Sequence, residues 1–234
     1  MQGKIVTVEN IGEIKAVAFD IDGTLYKAWR LNVRMAFHFL RHNQFFLKYG
    51  LTRRRLHRNE AVENFSDVQA ADMATRLRCT KEEARSRLDA VVYKGLEKYF
   101  SRIKPCRDVV ATVRKFKEAG LKIALLSDFP PEQKGDVWGI KPYCDVVLGT
   151  EFIGALKPSP VPFAHLADRL GLPPEQILYV GNSYKYDIVG SKSAGMKSAW
   201  FISPLRKIFC RPSELADISF CSYLELQKFV LGEN

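Results

Sequence analysis

The chain has 234 residues, 47% of them apolar, and carries 36 basic against 26 acidic side chains for a net charge of +10. That length suits one large domain or a core with a smaller insert, and the apolar share is that of an ordinary globular protein. No run nears the ~18 apolar residues that span a bilayer, and five scattered cysteines (79, 106, 144, 210, 221) without Cys-x-x-Cys spacing argue against a zinc site or a disulfide framework.

The basic excess would attract nucleic acid, anionic lipid or phosphorylated metabolites alike, so charge alone does not choose among them. Residues 1–9 alternate like a strand and lack the apolar core and small-residue site of a secretory leader, so a cytoplasmic location is expected. Residues 4–9 and 14–19 read as a hairpin turned at Asn10-Ile11-Gly12, its first strand an extra edge. The apolar run Ala16–Phe19 reads as a buried parallel strand ending in Asp20-Ile21-Asp22-Gly23-Thr24. Side chains two apart on an extended segment point the same way, so Asp20 and Asp22 can face one pocket. Open α/β sheets place their ligands at that end of a strand. Two acids so close need a cation or a shared proton, and a hard divalent ion, most simply Mg²⁺, meets that need.

From residue 27 to about 104 the periodicity turns helical. Trp29, Val33, Ala36, Phe37, Leu40 and Leu47 recur at three- and four-residue spacing, which predicts one long amphipathic helix ending near Gly50. Ser66 and Thr80 are candidate N-caps, and Thr80-Lys81-Glu82-Glu83 fits a capping box ahead of a helix reaching about Tyr99. Arg53-Arg54-Arg55 and His57-Arg58 read as a solvated basic face. Arg30, Arg34, His38 and Arg41 lie along one helix as candidate substrate contacts, although a solvated face accounts for each of them.

After Pro105 helix and strand alternate. Residues 107–119 form a predicted helix closed by Gly120, and 121–126 a strand ending in Ser127-Asp128-Phe129-Pro130. A hydroxyl there can donate to a phosphoryl oxygen. Next come a short strand at 145–148, then Lys157-Pro158 ahead of a helix at 161–170. A lysine fixed beside a carboxylate pair would hold nucleophile and phosphate together by charge. The strand 176–180 leads into Gly181-Asn182-Ser183-Tyr184-Lys185-Tyr186-Asp187 and a helix through Ala194. A strand at 197–202, another at 217–220 and a helix capped by Ser222 and Glu225 complete the chain.

Asp20-x-Asp22-Gly23-Thr24, Ser127, Lys157-Pro158 and Gly181-Asn182-Ser183-x-x-x-Asp187 resemble, in order, the four motifs of the haloacid dehalogenase (HAD) superfamily. Residues 149–202 are similar to its phosphoglycolate phosphatase-like branch with a helical cap. The resemblance implies an α/β fold, a Rossmann-like parallel-sheet core at 1–26 and 105–234 with an inserted all-helical cap at 27–104. It implies a Mg²⁺-dependent phosphatase of a small phosphorylated metabolite. Asp20 would be the nucleophile forming an aspartyl-phosphate, and Asp22 the general acid and then the base. Ser127, Asp128 and Lys157 would bind the phosphate, Ser127 and Lys157 also stabilising its charge. Mg²⁺ would be held by Asp20, the Asp22 backbone carbonyl, Asn182 and Asp187. Motif four most often begins Gly-Asp; the Asn182 amide can still coordinate but brings no charge, so metal affinity is expected to fall.

The expected partner is a small phosphorylated substrate, with no membrane partner, and no nucleic-acid-binding motif is recognisable. The sequence defines no oligomeric state. Alternatives are a phosphomutase, which differs only in cap residues, or a catalytically weak binding protein whose basic cap recruits nucleic acid or acidic partners.

Overall fold

Four residues without polar atoms on their side chains, Ala16–Phe19, are fully buried and form the middle strand of a six-stranded parallel sheet. A computed structural model describes residues 6–8, 12–58, 61–204 and 215–232. The strands are β1 (Val6–Val8), β2 (Gly12–Ile14), β3 (Ala16–Phe19), β4 (Lys122–Ser127), β5 (Val146–Gly149), β6 (Ile177–Gly181), β7 (Lys197–Phe201) and β8 (Ile218–Phe220). The large sheet runs β5-β4-β3-β6-β7-β8. Phe19 pairs with Leu125 of β4 on one side and Val180 of β6 on the other. From β3 the chain first builds outward through β4 and β5, then returns to lay β6 on the other side. The order therefore reverses between β3 and β6, the switch point at which open sheets bind ligands.

Alternation along the buried strands separates two apolar layers. Val17, Phe19, Ile123, Leu125, Leu178 and Val180 face a cluster shared with α6 (Val109–Glu118) and α10 (Tyr223–Leu231). Ala16, Ala18, Ala124, Leu126, Ile177 and Tyr179 face the opposite layer, filled by Phe163, Leu166 and Leu170 of α8 (Pro160–Leu170). Helices on both faces are what an all-parallel sheet requires, since neither face can meet water.

Between β3 and β4 the chain is helical: α1 (Ala28–Arg41), α2 (Asn43–Leu56), α3 (Phe65–Leu77), α4 (Lys81–Leu88), a π-turn at Asp89–Tyr93 and α5 (Lys94–Phe100). The Thr80 capping box is present, Thr80 Oγ1 accepting from Glu83 N at 3.2 Å and Glu83 Oε2 from Thr80 N at 3.1 Å. The helical run then reaches Phe100. Among the described residues α7 (Thr150–Ile153) precedes α8, and a π-turn at Tyr184–Ile188 leads into α9 (Val189–Ser193).

Several expectations need correction. The hairpin partner of β1 is β2, in a separate two-stranded sheet, because both edges of β3 are already taken by β4 and β6; its turn at 9–11 lies outside the described residues. Asn64, not Ser66, caps α3, its Oδ1 accepting from Asp67 N. The long helix is two helices, broken at His42 and continuing through Gly50 to Leu56. Phe39 stacks on Phe46 across the bend at 4.3 Å. The apolar stripe of α1 also faces outward: Trp29, Val33, Phe37 and Leu40 keep 61–75% of their surface in solvent, while Met35 and His38 are buried. Periodicity shows that one face is apolar, not which way that face is turned.

Candidate active site

β3 delivers Asp20 to the switch point, and Asp20 is 4% exposed. Its backbone N donates to Val180 O at 2.9 Å, which carries the β3–β6 pairing one residue past the strand. Lys157 arrives from the loop between α7 and α8. Its Nζ donates to Asp20 Oδ1 and Asp187 Oδ1, both at 2.7 Å, and to Tyr179 Oη at 3.3 Å. All three charged side chains are at most 6% exposed. Burial works against the Lys157 charge, but Asp187 and Asp20 outweigh it and hold the ammonium well above its usual range. Burial pushes Asp20 up to about 7, aided by Asp187 and Asp22 and opposed by Lys157.

Asp22 stands apart from this triad, as an acceptor at both oxygens. Tyr26 Oη donates to Oδ1 at 2.7 Å; Ser127 Oγ donates to Oδ2 at 3.1 Å, and Lys134 Nζ lies 3.1 Å from Oδ2. Burial alone would raise Asp22, but Lys134 and the bonds from Tyr26, Lys134 and Ser127 hold the carboxyl below its usual range. Ser127 ends β4, where Phe129 N in turn donates to its Oγ at 3.2 Å.

The β6 end supplies Asn182 and Asp187. Thr24 Oγ1 lies 2.7 Å from Asp20 Oδ2 and 3.1 Å from Asn182 Oδ1, so β3 and β6 oxygens converge on one hydroxyl. Asp187 Oδ2 accepts from Ser183 N at 2.8 Å. Two glycines make this approach possible. A Cβ on Gly181 would sit 2.3 Å from Asp187 Cβ, and one on Gly23 2.7 Å from the Asn182 amide.

The structure thus joins Asp20 to Lys157 and Asp187 on one side and through Thr24 to Asn182 on the other, and places Asp22 with Ser127. Asp128 is turned elsewhere: its Oδ1 accepts from Thr150 Oγ1 at 2.9 Å and Lys157 N at 3.2 Å. Its carboxylate braces the Lys157 loop, and a carboxylate is in any case repelled by phosphate. The basic run is corrected at Arg53 and His57, while Arg54, Arg55 and Arg58 are exposed as expected. Arg53 is buried, ion-paired to Glu151, donating to Asp128 O at 3.0 Å and lying over the Phe129 ring. His57 Nδ1 donates to Lys157 O at 2.6 Å and its ring stacks on Tyr186; burial lowers its pKa. Of the candidate substrate contacts on α1, Arg30 instead donates to Lys104 O and Arg34 to Arg30 O, while His38 bonds Val91 O.

Tyr26 and Lys134 were not singled out by sequence. Tyr26 lies four residues after Asp22, a one-turn spacing that could have marked it. Lys134 ends a 3₁₀ turn opened by Pro130-Pro131, which folds back onto the end of β4 with its side chain fully buried.

Among the described residues no group of three His, Cys, Asp or Glu side chains forms a metal cage. Mg²⁺ needs no such cage, because it binds through one or two carboxylates, retained waters and substrate oxygens. The donors here fit that pattern. Asp20 Oδ2 and Asn182 Oδ1 both lie within 3.1 Å of Thr24 Oγ1, so hard oxygens from two strand ends converge where a cation would be favourable. Asp20, Asn182 and Asp187 are all hard oxygen donors.

A doubly wound parallel sheet whose switch point holds paired strand-end aspartates and a buried lysine defines an α/β protein built around a carboxylate centre. The chain belongs to the haloacid dehalogenase-like hydrolases, whose family model matches residues 14–195. It is 32% identical over 190 residues to a glyceraldehyde 3-phosphate phosphatase of Methanopyrus kandleri, covering 78% of this chain and 82% of that protein. It is 28% identical over 191 residues to pyrophosphatase PpaX of Halalkalibacterium halodurans, covering 80% and 83%. In fold it is similar to a HAD phosphatase from Thermococcus onnurineus (TM-score 0.63, 24% identity, 94% and 99% covered).

Proposed function

We propose that the protein is a Mg²⁺-dependent phosphatase that hydrolyses a small phosphorylated metabolite through an aspartyl-phosphate on Asp20. Both relatives aligned over about four-fifths of the chain are named for removing or splitting phosphate. The observation that carries the reading is the buried Lys157 ammonium, 2.7 Å from both Asp20 and Asp187. Without that cation Asp20 would keep its proton and could not attack.

In this mechanism Asp22, an ionised acceptor in the free site, takes up a proton as the anionic substrate binds beside it; an Asp20 oxygen then attacks phosphorus as the ester P–O bond breaks, and the leaving alkoxide takes that proton from Asp22. Water then attacks the aspartyl-phosphate, gives a proton to Asp22 and releases phosphate, so Asp22 is reprotonated for the next turnover. Tyr26 and Lys134 hold Asp22 as the acceptor that the second step needs. Ser127 and Lys157 donate to the phosphoryl oxygens. Bound Mg²⁺ supplies charge neutralisation on those oxygens, and Asp20, the Asp22 carbonyl, Asn182 and Asp187 would hold it. Residues 27–104 serve as a cap over the core of 1–26 and 105–234. The contacts of Arg53 and His57 with Asp128, Glu151 and Lys157 support that division.

p-Nitrophenyl phosphate turnover with and without Mg²⁺ tests the reading. Wild type should be Mg²⁺-dependent and Asp20→Asn inactive; equal residual rates in the two proteins would overturn it.

A further inference from the structure

The net charge of the chain is not spread over its surface. Residues 23–58 hold nine Lys or Arg and no Asp or Glu, so this one segment supplies +9 of the net +10; Arg53 and Arg55 are paired with Glu151 and Asp72 in other segments. The same segment carries the outward stripe of α1. Trp29, Val33, Phe37 and Leu40 stand at i, i+4, i+8 and i+11, opposite the packed face of Met35 and His38. Leu47 of α2 extends the stripe at 69% exposure. Arg30, Arg34 and Arg41 follow one border of the stripe by their spacing, and no carboxylate among the described residues pairs with them. Soluble chains seldom leave so many large apolar side chains exposed on one helix, and such a patch marks an interaction surface.

We propose that α1 and the start of α2 dock on an anionic phospholipid bilayer, lying in the interface with the stripe inserted and the arginines at the headgroups. An aromatic and aliphatic face beside an exclusively basic border is the composition of a helix that lies in a membrane surface. Anionic headgroups provide the counter-charge that Arg30, Arg34 and Arg41 do not find in a carboxylate among the described residues. A second copy of the chain fits less well, because an antiparallel two-fold contact of the stripes lays the basic border of one copy along that of the other with no carboxylate there to offset it. Single-stranded nucleic acid would use the charge and the aromatic rings, but Val33, Leu40 and Leu47 offer a base neither a stacking face nor a hydrogen bond. The sequence-based expectation of no membrane partner rested on the lack of a spanning run, and no helix among the described residues is long and apolar enough to cross a membrane. Surface docking requires no such helix.

Co-sedimentation of the full chain with vesicles of phosphatidylcholine alone, or phosphatidylcholine mixed with phosphatidylglycerol, tests the proposal. Wild type should bind the anionic vesicles and not the neutral ones. Phe37→Glu with Leu40→Glu should lower binding at least about tenfold, since binding scales with inserted apolar area. Both side chains are more than 70% exposed, so the double variant should keep its thermal unfolding midpoint, and Leu224→Glu on α10 serves as the exposed control. The proposal is overturned if wild type ignores anionic vesicles or binds both kinds equally. It is also overturned if the double variant binds like wild type, or if wild type is a stable dimer that the double variant splits. Binding to a single-stranded oligonucleotide that the same substitutions abolish would likewise overturn it. None of these outcomes depends on phosphatase activity.

Discussion

Replacing Lys157 by methionine keeps the length of the side chain and removes the charge that joins two buried carboxylates. At 2.7 Å each contact is worth about 6 kcal/mol of attraction at an effective dielectric of about 20. Desolvation of the ions returns several kcal/mol each, so the net loss on breaking such a buried group is about 3–5 kcal/mol. Protonation of Asp20 offers the variant a partial escape. In wild type Lys157 pulls the Asp20 carboxyl down and burial still leaves it at about 7, so without the lysine it titrates higher still. The folded variant then holds a proton that the unfolded chain, near 3.8, has already lost. Stability falls with rising pH wherever the folded state binds more protons, and wild type holds the same proton up to about pH 7, so the deficit relative to wild type should stay level to that point and widen from about pH 7 to about pH 9. Urea unfolding followed by circular dichroism, in EDTA at both pH values, measures it. A deficit below about 1 kcal/mol at the higher pH, or one that does not widen, would refute the reasoning.

Arg53→Ala removes the ion-pair partner of Glu151, whose side chain is 9% exposed and keeps only the hydrogen bond from Tyr93 among the described residues, and should destabilise the fold by about 3 kcal/mol in the same unfolding assay; a loss below about 1 kcal/mol would show the pair to be dispensable. Asn182→Asp adds a charged oxygen beside Asp20 and should lower the Mg²⁺ concentration that half-saturates p-nitrophenyl phosphate turnover. An unchanged or weaker metal requirement would place Asn182 outside the coordination sphere.

The strands of the large sheet were legible because each is a short apolar run bounded by turn residues, and both faces of a parallel sheet are buried. Asp20 and Asp22 were legible from their two-residue spacing at such a strand's end, and Lys157, Asn182 and Asp187 from their order relative to it. Arg53 was not, because a basic run carries no local sign of the partner it finds 98 residues away at Glu151. Lys134 stayed hidden for a related reason: only the backward fold of its proline turn brings it to Asp22. On α1 the spacing was visible and the orientation was not, since an outward apolar face and an inward one have the same period.

Lys157 reaches Asp20 across 137 positions, and Ser127 reaches Asp22 across 105. Closing loops of that length is an entropic cost met only once the sheet has assembled. A nascent or partly refolded molecule with its local helices in place therefore owns no fragment of a working centre. Turnover returns last in such a molecule, and makes a stricter gauge of completed folding than any helical signal.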